Sequence, residues 1–198
     1  PADSLAQDYK SNQENISQEL RIASPADQKF DYVAGLYYFD QKFLTSPFVD
    51  AGPDFAGAAV AGDRILGADH DIESTSYAAF AHSNFHLSDV TTIFMGLRYT
   101  SEDQSIDSQA FGSPFFLGAL NIDVNRRQID LDSNNLSGTV GLRHHISDGA
   151  MVYGSVSRGA KAGAFNTSET IANGADPRSL FVEDEFVTSY EIGAKTTW

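Results

Sequence analysis

Six charged residues, Arg98, Arg143, Arg158, Lys161, Glu191 and Lys195, stand inside segments that otherwise alternate apolar with small or polar side chains. Charge held in such a setting can contact a polar solute directly or pair with another fixed charge. Other candidates are weaker. Asp69-His70-Asp71 puts two hard oxygens around an imidazole, a donor set for a divalent ion. Three consecutive residues rarely converge on one metal, and the triplet reads as a solvated loop tip. His82 and His86 share a face of a strand but stand about 13 Å apart at the usual rise. His144 and His145 are adjacent and face opposite ways, so without a bulge they cannot ligate together. No G-x-S-x-G elbow, H-E-x-x-H pair or P-loop lysine occurs. Gly154 to Gly159 is glycine-flanked but lies within a strand pattern, which leaves no helix end to cradle a phosphate. No enzyme chemistry, cofactor or metal site is expected.

The segments that carry the charges have a period of two. In Val90–Thr100, Ile93, Met95, Leu97 and Tyr99 fall on one face, and Thr92, Phe94, Gly96, Arg98 and Thr100 on the other. Leu136–Ile146 sets Leu136, Val140, Leu142 and Ile146 against Ser137, Thr139, Gly141, Arg143 and His145. Val187–Trp198 sets Tyr190, Ile192, Ala194 and Trp198 against Ser189, Glu191, Gly193 and Lys195. Lys29–Lys42, Glu14–Ser24, Ile72–His86 and Ala150–Ala162 complete a set of seven expected strands, neighbours joined as antiparallel hairpins. Residues 1–13 read as an irregular segment, because Gln7, Asp8 and Lys10 make Leu5–Lys10 short and polar.

The connectors alternate in length. Ser24–Gln28, Leu87–Asp89 and Ser147–Gly149 are short turns; Phe43–Asp71, Ser105–Asp130 and Gly163–Asp184 are long loops. A transmembrane β-barrel has this asymmetry, with short periplasmic turns and long outer loops. The fold class is therefore all-β, an antiparallel transmembrane barrel segment. Hydrophobic content of 41% and a mean hydropathy of -0.26 suit a barrel as well as a soluble domain, because barrel strands are only half apolar. No run approaches the roughly 20 apolar residues of a spanning helix. There are no cysteines. A net charge of -14, from 13 basic and 27 acidic residues, argues against a nucleic-acid partner. Bacterial barrels of one chain have an even strand number, so seven strands read as an arc of something larger.

Ser17-Gln18-Glu19-Leu20-Arg21-Ile22 and Phe30-Asp31-Tyr32-Val33-Ala34-Gly35-Leu36-Tyr37-Tyr38-Phe39 resemble the barrel of TonB-dependent outer-membrane receptors. So do Gly96-Leu97-Arg98-Tyr99-Thr100, Gly141-Leu142-Arg143 before Ser147-Asp148, and Val187 to Lys195. The most specific run is Met151 to Gly159 followed by Lys161-Ala162-Gly163-Ala164-Phe165-Asn166. The order and spacing extend over residues 14–198, read as a partial receptor barrel. The resemblance implies a barrel of about 22 strands with a plugged lumen, and a box on the N-terminal part gripped by the TonB complex. Nothing here matches the plug or the box. It implies energised uptake of a scarce solute, such as an iron–siderophore, cobalamin or glycan, across the outer membrane of a Gram-negative bacterium. The implied partners are outer-membrane lipid, the plug domain and remaining strands of the full-length protein, the TonB complex and the solute.

On this reading Arg98, Arg143, Arg158, Lys161, Glu191 and Lys195 are the lumen-facing candidates, placed to hold the plug, one another or the solute. Phe48, Phe55, Phe115, Phe116 and Phe165 are loop candidates for solute capture. Two departures stand out: His144-His145 follows Arg143 where one aromatic is usual, and Trp198 stands where the family's terminal barrel residue is usually Phe. Two rivals remain. One is a small complete outer-membrane barrel with a structural or adhesive role, which needs an eighth strand within residues 1–13. The other is a soluble β-sandwich binding module, in which Ile93 and Leu142 meet in one core.

Overall fold

A computed structural model describes residues 5–25, 28–55, 64–167, 172–176 and 180–197. Its main body is a single antiparallel sheet of seven strands: β1 (Leu5–Ala23), β2 (Phe30–Ala51), β3 (Arg64–Ser88), β4 (Thr91–Gly112), β5 (Arg127–Ser147), β6 (Ala150–Lys161) and β9 (Glu185–Thr196), in that spatial order. A short helix α1 (Pro114–Ala119) follows β4. Strands β7 (Ala164–Phe165) and β8 (Phe181–Val182) form a small hairpin between β6 and β9. Ala26, Asp27 and Trp198, singled out in the sequence, lie outside the described residues.

The expected strands exist, but most are longer. Leu5–Gln13, expected to be irregular, belongs to β1 and pairs with Phe43–Ala51. Much of two of the three expected long loops is strand as well, since β2 runs to Ala51, β3 begins at Arg64, and β4 and β5 extend to Gly112 and from Arg127; Gly163–Asp184 holds only the short β7 and β8. In β4 the extension is polar on its outward face, although Ile106 is buried on the inner one. Ser101, Asp103, Ser105 and Asp107 continue the face of Leu97 and Tyr99, so the period that marks a half-apolar strand fades where hydrogen bonding continues.

Apart from the small β7–β8 pair at one end, no second sheet lies on the main one among the described residues, and its two faces differ. Met95, Leu97 and Tyr99 are exposed, as are Leu136, Val140 and Leu142, whereas Phe94, Gly96, Arg98 and Arg143 on the other face are sheltered. In a single layer the shelter comes from curvature, with side chains converging on the concave side. A sandwich core joining Ile93 and Leu142 is absent; these two stand side by side on the same outward face.

Ring-over-glycine contacts shape that concave face. A Cβ on Gly35 would lie 2.6 Å from Phe80 Cζ, and one on Gly193 would lie 2.6 Å from Tyr153 Cζ. One on Gly141 would overlap Phe94 Cζ. Each ring lies flat across the glycine directly opposite it or, for Tyr153, on the next strand. Glycine opposite an aromatic thus keeps a bulky row low against the wall.

The outward face is apolar only over part of its height. On β2 it runs from Phe30 and Tyr32, whose rings are 5.9 Å apart, to Tyr38, whose ring is 5.2 Å from that of Tyr77. Beyond come Asp40 and Lys42 on β2, Thr75, Glu73 and Asp71 on β3, and Asp103 and Asp107 on β4. The edge of the band crosses the sheet obliquely. It passes through Tyr77 on β3, Tyr99 on β4, Leu136 on β5 and Tyr190 on β9. That course drops from the Tyr77–Ser101 pair to the row of Met95, Val140, Val156 and Tyr190. From Ser101 to Met95 is about 20 Å along the strand, and β3 to β9 is about 19 Å across it, so the strands tilt by about 45° from the normal to the band. Transmembrane barrels tilt by 35–45°.

Candidate functional site

The concave face carries the polar and charged side chains, arranged in rows by the strand register. Near the short turns, Asn84 Nδ2 donates to Asp31 Oδ1 at 2.7 Å and His86 Nε2 donates to Asp31 Oδ2 at 2.8 Å. Thr92 Oγ1 lies 3.1 Å from His86 Nδ1, which fits a hydroxyl donating to the other ring nitrogen. Arg143 Nη2 reaches Asn84 Oδ1 at 3.4 Å. Sequence reasoning missed this network: the shared face of His82 and His86 was legible, but Asp31 comes beside it only through the register of β2 with β3. It has the order acid, imidazole, hydroxyl, but Thr92 is buried and no strained elbow presents it, so it braces the wall.

Of the six charged candidates, five share the concave face. Arg98 stacks its guanidinium over Tyr37 at 5.2 Å and Phe80 at 5.9 Å and donates to Thr100 Oγ1 at 3.1 Å. Glu191 accepts from the Tyr153 hydroxyl at 2.6 Å, and Lys195 lies 5.6 Å from the same ring. Arg143 is paired in register with Tyr153, but its guanidinium turns the other way, toward Asn84 on β3, so two charges meet at the phenol. Lys161 is paired with Glu185 in register. Arg158 is a correction. Its partners Gly138 and Thr188 place it on the outward face, alternate to Tyr153, Ser155 and Ser157, and its guanidinium stacks 4.8 Å from the Phe186 ring. It falls at the edge of the apolar band, where a long cationic stem reaches polar surroundings.

The five phenylalanines separate. Phe55 and Phe116 lie 5.7 Å apart, and Phe115 meets Phe116 edge-on at 5.2 Å, forming one aromatic group at the tip beyond β2 and β4. Phe115 is 74% exposed. Phe48 is no loop residue: it sits in β2, nearly buried beneath the Arg64 guanidinium at 3.7 Å. Phe165 belongs to β7 and pairs with Phe181.

At the far end of the wall the described part of the connector from β6 to β9 folds back over the concave face. Gln104 Nε2 donates to the Gly163 carbonyl at 3.0 Å, and Ser133 Oγ is 2.9 Å from both Asp184 oxygens. Beneath it Ile106 is fully buried, and Thr45, His70 and Ser108 are almost so. His70 is therefore not at a solvated loop tip. It is a strand residue on the concave face, with Asp69 and Asp71 turned to the other side, where Ser46 and Lys42 hold them. Burial pushes its pKa down, opposed by the Thr167 backbone and the Asp69 charge. The connector from β4 to β5 is fixed by Asp123, whose carboxyl is held below its usual range by the Asn125 backbone N–H and by Arg127 at 2.6 Å. No metal-binding cluster of His, Asp and Glu occurs among the described residues.

A curved, half-apolar sheet with a polar inner face is the wall of a transmembrane barrel. Consistent with this, the solved ferric yersiniabactin uptake receptor FyuA from Yersinia pestis shares its fold with a TM-score of 0.80 at 21% identity. The match covers 100% of this chain and 28% of that receptor, so the chain spans little more than a quarter of the receptor's length. No curated protein sequence matches the chain. The family model of the TonB dependent receptor-like β-barrel matches residues 2–198, and the chain belongs to that family.

Proposed function

We propose that this chain forms part of the wall and outer loops of an energised outer-membrane receptor, a transporter and not an enzyme. The observation that carries this reading is the outward apolar band, edged by tyrosines and crossed by strands tilted about 45°. Its height of about 20 Å between the Phe30 and Tyr38 levels is near the ~25 Å of outer-membrane barrels. Such a band is stable against lipid and costly against water, at roughly 1.5–3 kcal/mol for each large apolar side chain left exposed. In hydrocarbon, the outer edges of β1 and β9 need partners for their N–H and C=O groups. The rest of the wall therefore comes from polypeptide beyond these strands, and membership of the receptor family supports a plug filling it, with TonB supplying the pull.

The solute is a scarce one such as an iron–siderophore, cobalamin or glycan. The aromatic group of Phe55, Phe115 and Phe116 supports first contact at the tip, and the polar rows support passage along the wall. Uptake of labelled ferric siderophore and of labelled cobalamin by cells, with and without the intact receptor, tests the reading. It expects one of them to enter only when the receptor and the proton gradient are both present. Recovery of the intact protein in the water-soluble fraction overturns it.

A further inference from the structure

We propose that the outward face carries a seat for one lipid, with an acyl chain lying in a groove over β3 and a head group bearing a primary ammonium above it. This rests on the reading of that face as the lipid-facing one.

The groove has a volume of about 590 Å³ and is open to the outside. Register builds it. Leu20, Leu36, Ala79 and Tyr99 form one outward row across β1 to β4, and Tyr38 and Tyr77 stand in the next row up, their rings 5.2 Å apart. Ala79 is the small member of its row, so the surface dips between Leu36 and Tyr99, and the tyrosine pair closes the upper end. Below, Ala81 continues the dip beside Leu97, toward the middle of the band. The Tyr99 hydroxyl donates to Asn134 Oδ1 at 2.9 Å, which holds that ring back as a wall of the groove. An alkyl chain in such a dip is contacted from three sides, whereas a flat face contacts it from one.

The head group follows from charge. The row above the tyrosines, about 7 Å farther along the strands, holds Asp40, Thr75, Asp103 and Asp132. Asp40 accepts from Thr75 Oγ1 at 3.0 Å, and no salt bridge holds any of these three carboxylates among the described residues. Lys42, one row higher, is engaged by Asp71 and Glu73 at 3.0 Å each. A phosphate at this level meets repulsion, and an ammonium meets opposite charge and hydrogen-bond acceptors. A primary ammonium donates three N–H bonds, and a quaternary one has none to donate. In vesicles without an aminolipid, Asp103 and Asp132 are left to repel each other.

Native mass spectrometry of the intact receptor tests the seat. The receptor is exchanged in detergent against equal parts of phosphatidylethanolamine, phosphatidylcholine and phosphatidylglycerol, and the lipids it retains are counted. Phosphatidylethanolamine should be retained about fivefold over either competitor, a ratio within reach of an exposed charge pair. Ala79→Phe fills the groove with apolar surface and should remove that lipid. Asp103→Asn together with Asp132→Asn should abolish the preference while a lipid still binds, and Leu142→Phe, on the same face away from the groove, should change nothing. Equal retention of the three lipids, a preference for phosphatidylglycerol, retention unchanged by Ala79→Phe, or a preference that survives the two asparagines overturns the seat. Quenching from lipid tails of a fluorophore on Leu97→Cys separates the two readings. Quenching there without selective retention removes the seat alone, whereas its absence removes the lipid-facing assignment beneath it.

Discussion

Arginine substitutions along one pair row should differ in cost because the apolar band crosses that row obliquely. Met95, Val140, Val156 and Tyr190 are hydrogen-bonded neighbours in a single row across β4, β5, β6 and β9. At a tilt of about 45° each residue along a strand changes depth by roughly 2.3 Å. Met95 lies four residues below Tyr99 and Val140 four below Leu136, so both sit about 9 Å beneath the edge, toward the middle of the band. Val156 lies two residues below Arg158, at about half that depth, and Tyr190 is at the edge itself. Arginine at Met95 or Val140 should therefore cost about 2–4 kcal/mol and at Tyr190 about 0–1 kcal/mol, with Val156 between. A gap of about 2 kcal/mol is roughly thirtyfold in the folding equilibrium. The assay is equilibrium urea unfolding of the intact barrel in phospholipid vesicles, compared only where the dependence on denaturant is unchanged. Equal costs along the row, or the largest cost at Tyr190, refute the oblique band and with it the membrane placement.

Three further outcomes follow from particular contacts. Gly141→Ala should destabilise the barrel by about 1–3 kcal/mol, because the new methyl meets both Phe94 Cζ and the Gly154 carbonyl; adding Phe94→Leu should recover part of this in the same unfolding assay. Asp103 and Asp132 stand directly opposite on the outward face above the band, so Asp103→Asn should stabilise by about 0.2–1 kcal/mol, with the gain shrinking at high salt. His70 has its pKa lowered by burial, so the state that buries it keeps its full stability above the imidazole's ordinary pKa and loses stability as pH falls below about 6.5. Labelling of Thr45→Cys, normalised to an exposed cysteine, should rise between pH 7.5 and 5.5 by up to about tenfold per unit, and His70→Asn should abolish the rise.

The sequence shows what water and lipid together write into it, and little else. Val90–Thr100 was legible because one face meets hydrocarbon and the other a polar lumen, which forces alternation at every residue. Ser101–Gly112 and Leu5–Gln13 are equally regular in hydrogen bonding, but both of their faces tolerate polar groups, so nothing in their composition separates strand from loop. Arg158 was misplaced for a different reason. Alternation within β6 groups it with Val152 and Val156, a division of faces that the sequence reading did not make for this strand. The band's edge dips across β6, which lets a cation stand on the outward face there. His70 was hidden because its burial depends on a distant segment folding back over it, and local patterning carries no trace of such a contact. The ring-over-glycine pairs also need the register to be seen, since Phe94 and Gly141 meet only through the alignment of β4 with β5.

The account depends on the sheltered face lining a water-accessible interior while the exposed face meets lipid. A cysteine scan along β4 from position 91 to 112, in the intact receptor in outer membranes, tests this directly. Each position is read both by a water-soluble thiol reagent and by quenching of an attached fluorophore from lipid tails. The prediction is lipid quenching at 93, 95, 97 and 99 only, alternating with lumen-side positions that escape it, and no quenching on either face beyond Tyr99. Quenching at 94, 96 and 98 instead, or none anywhere on the strand, contradicts it.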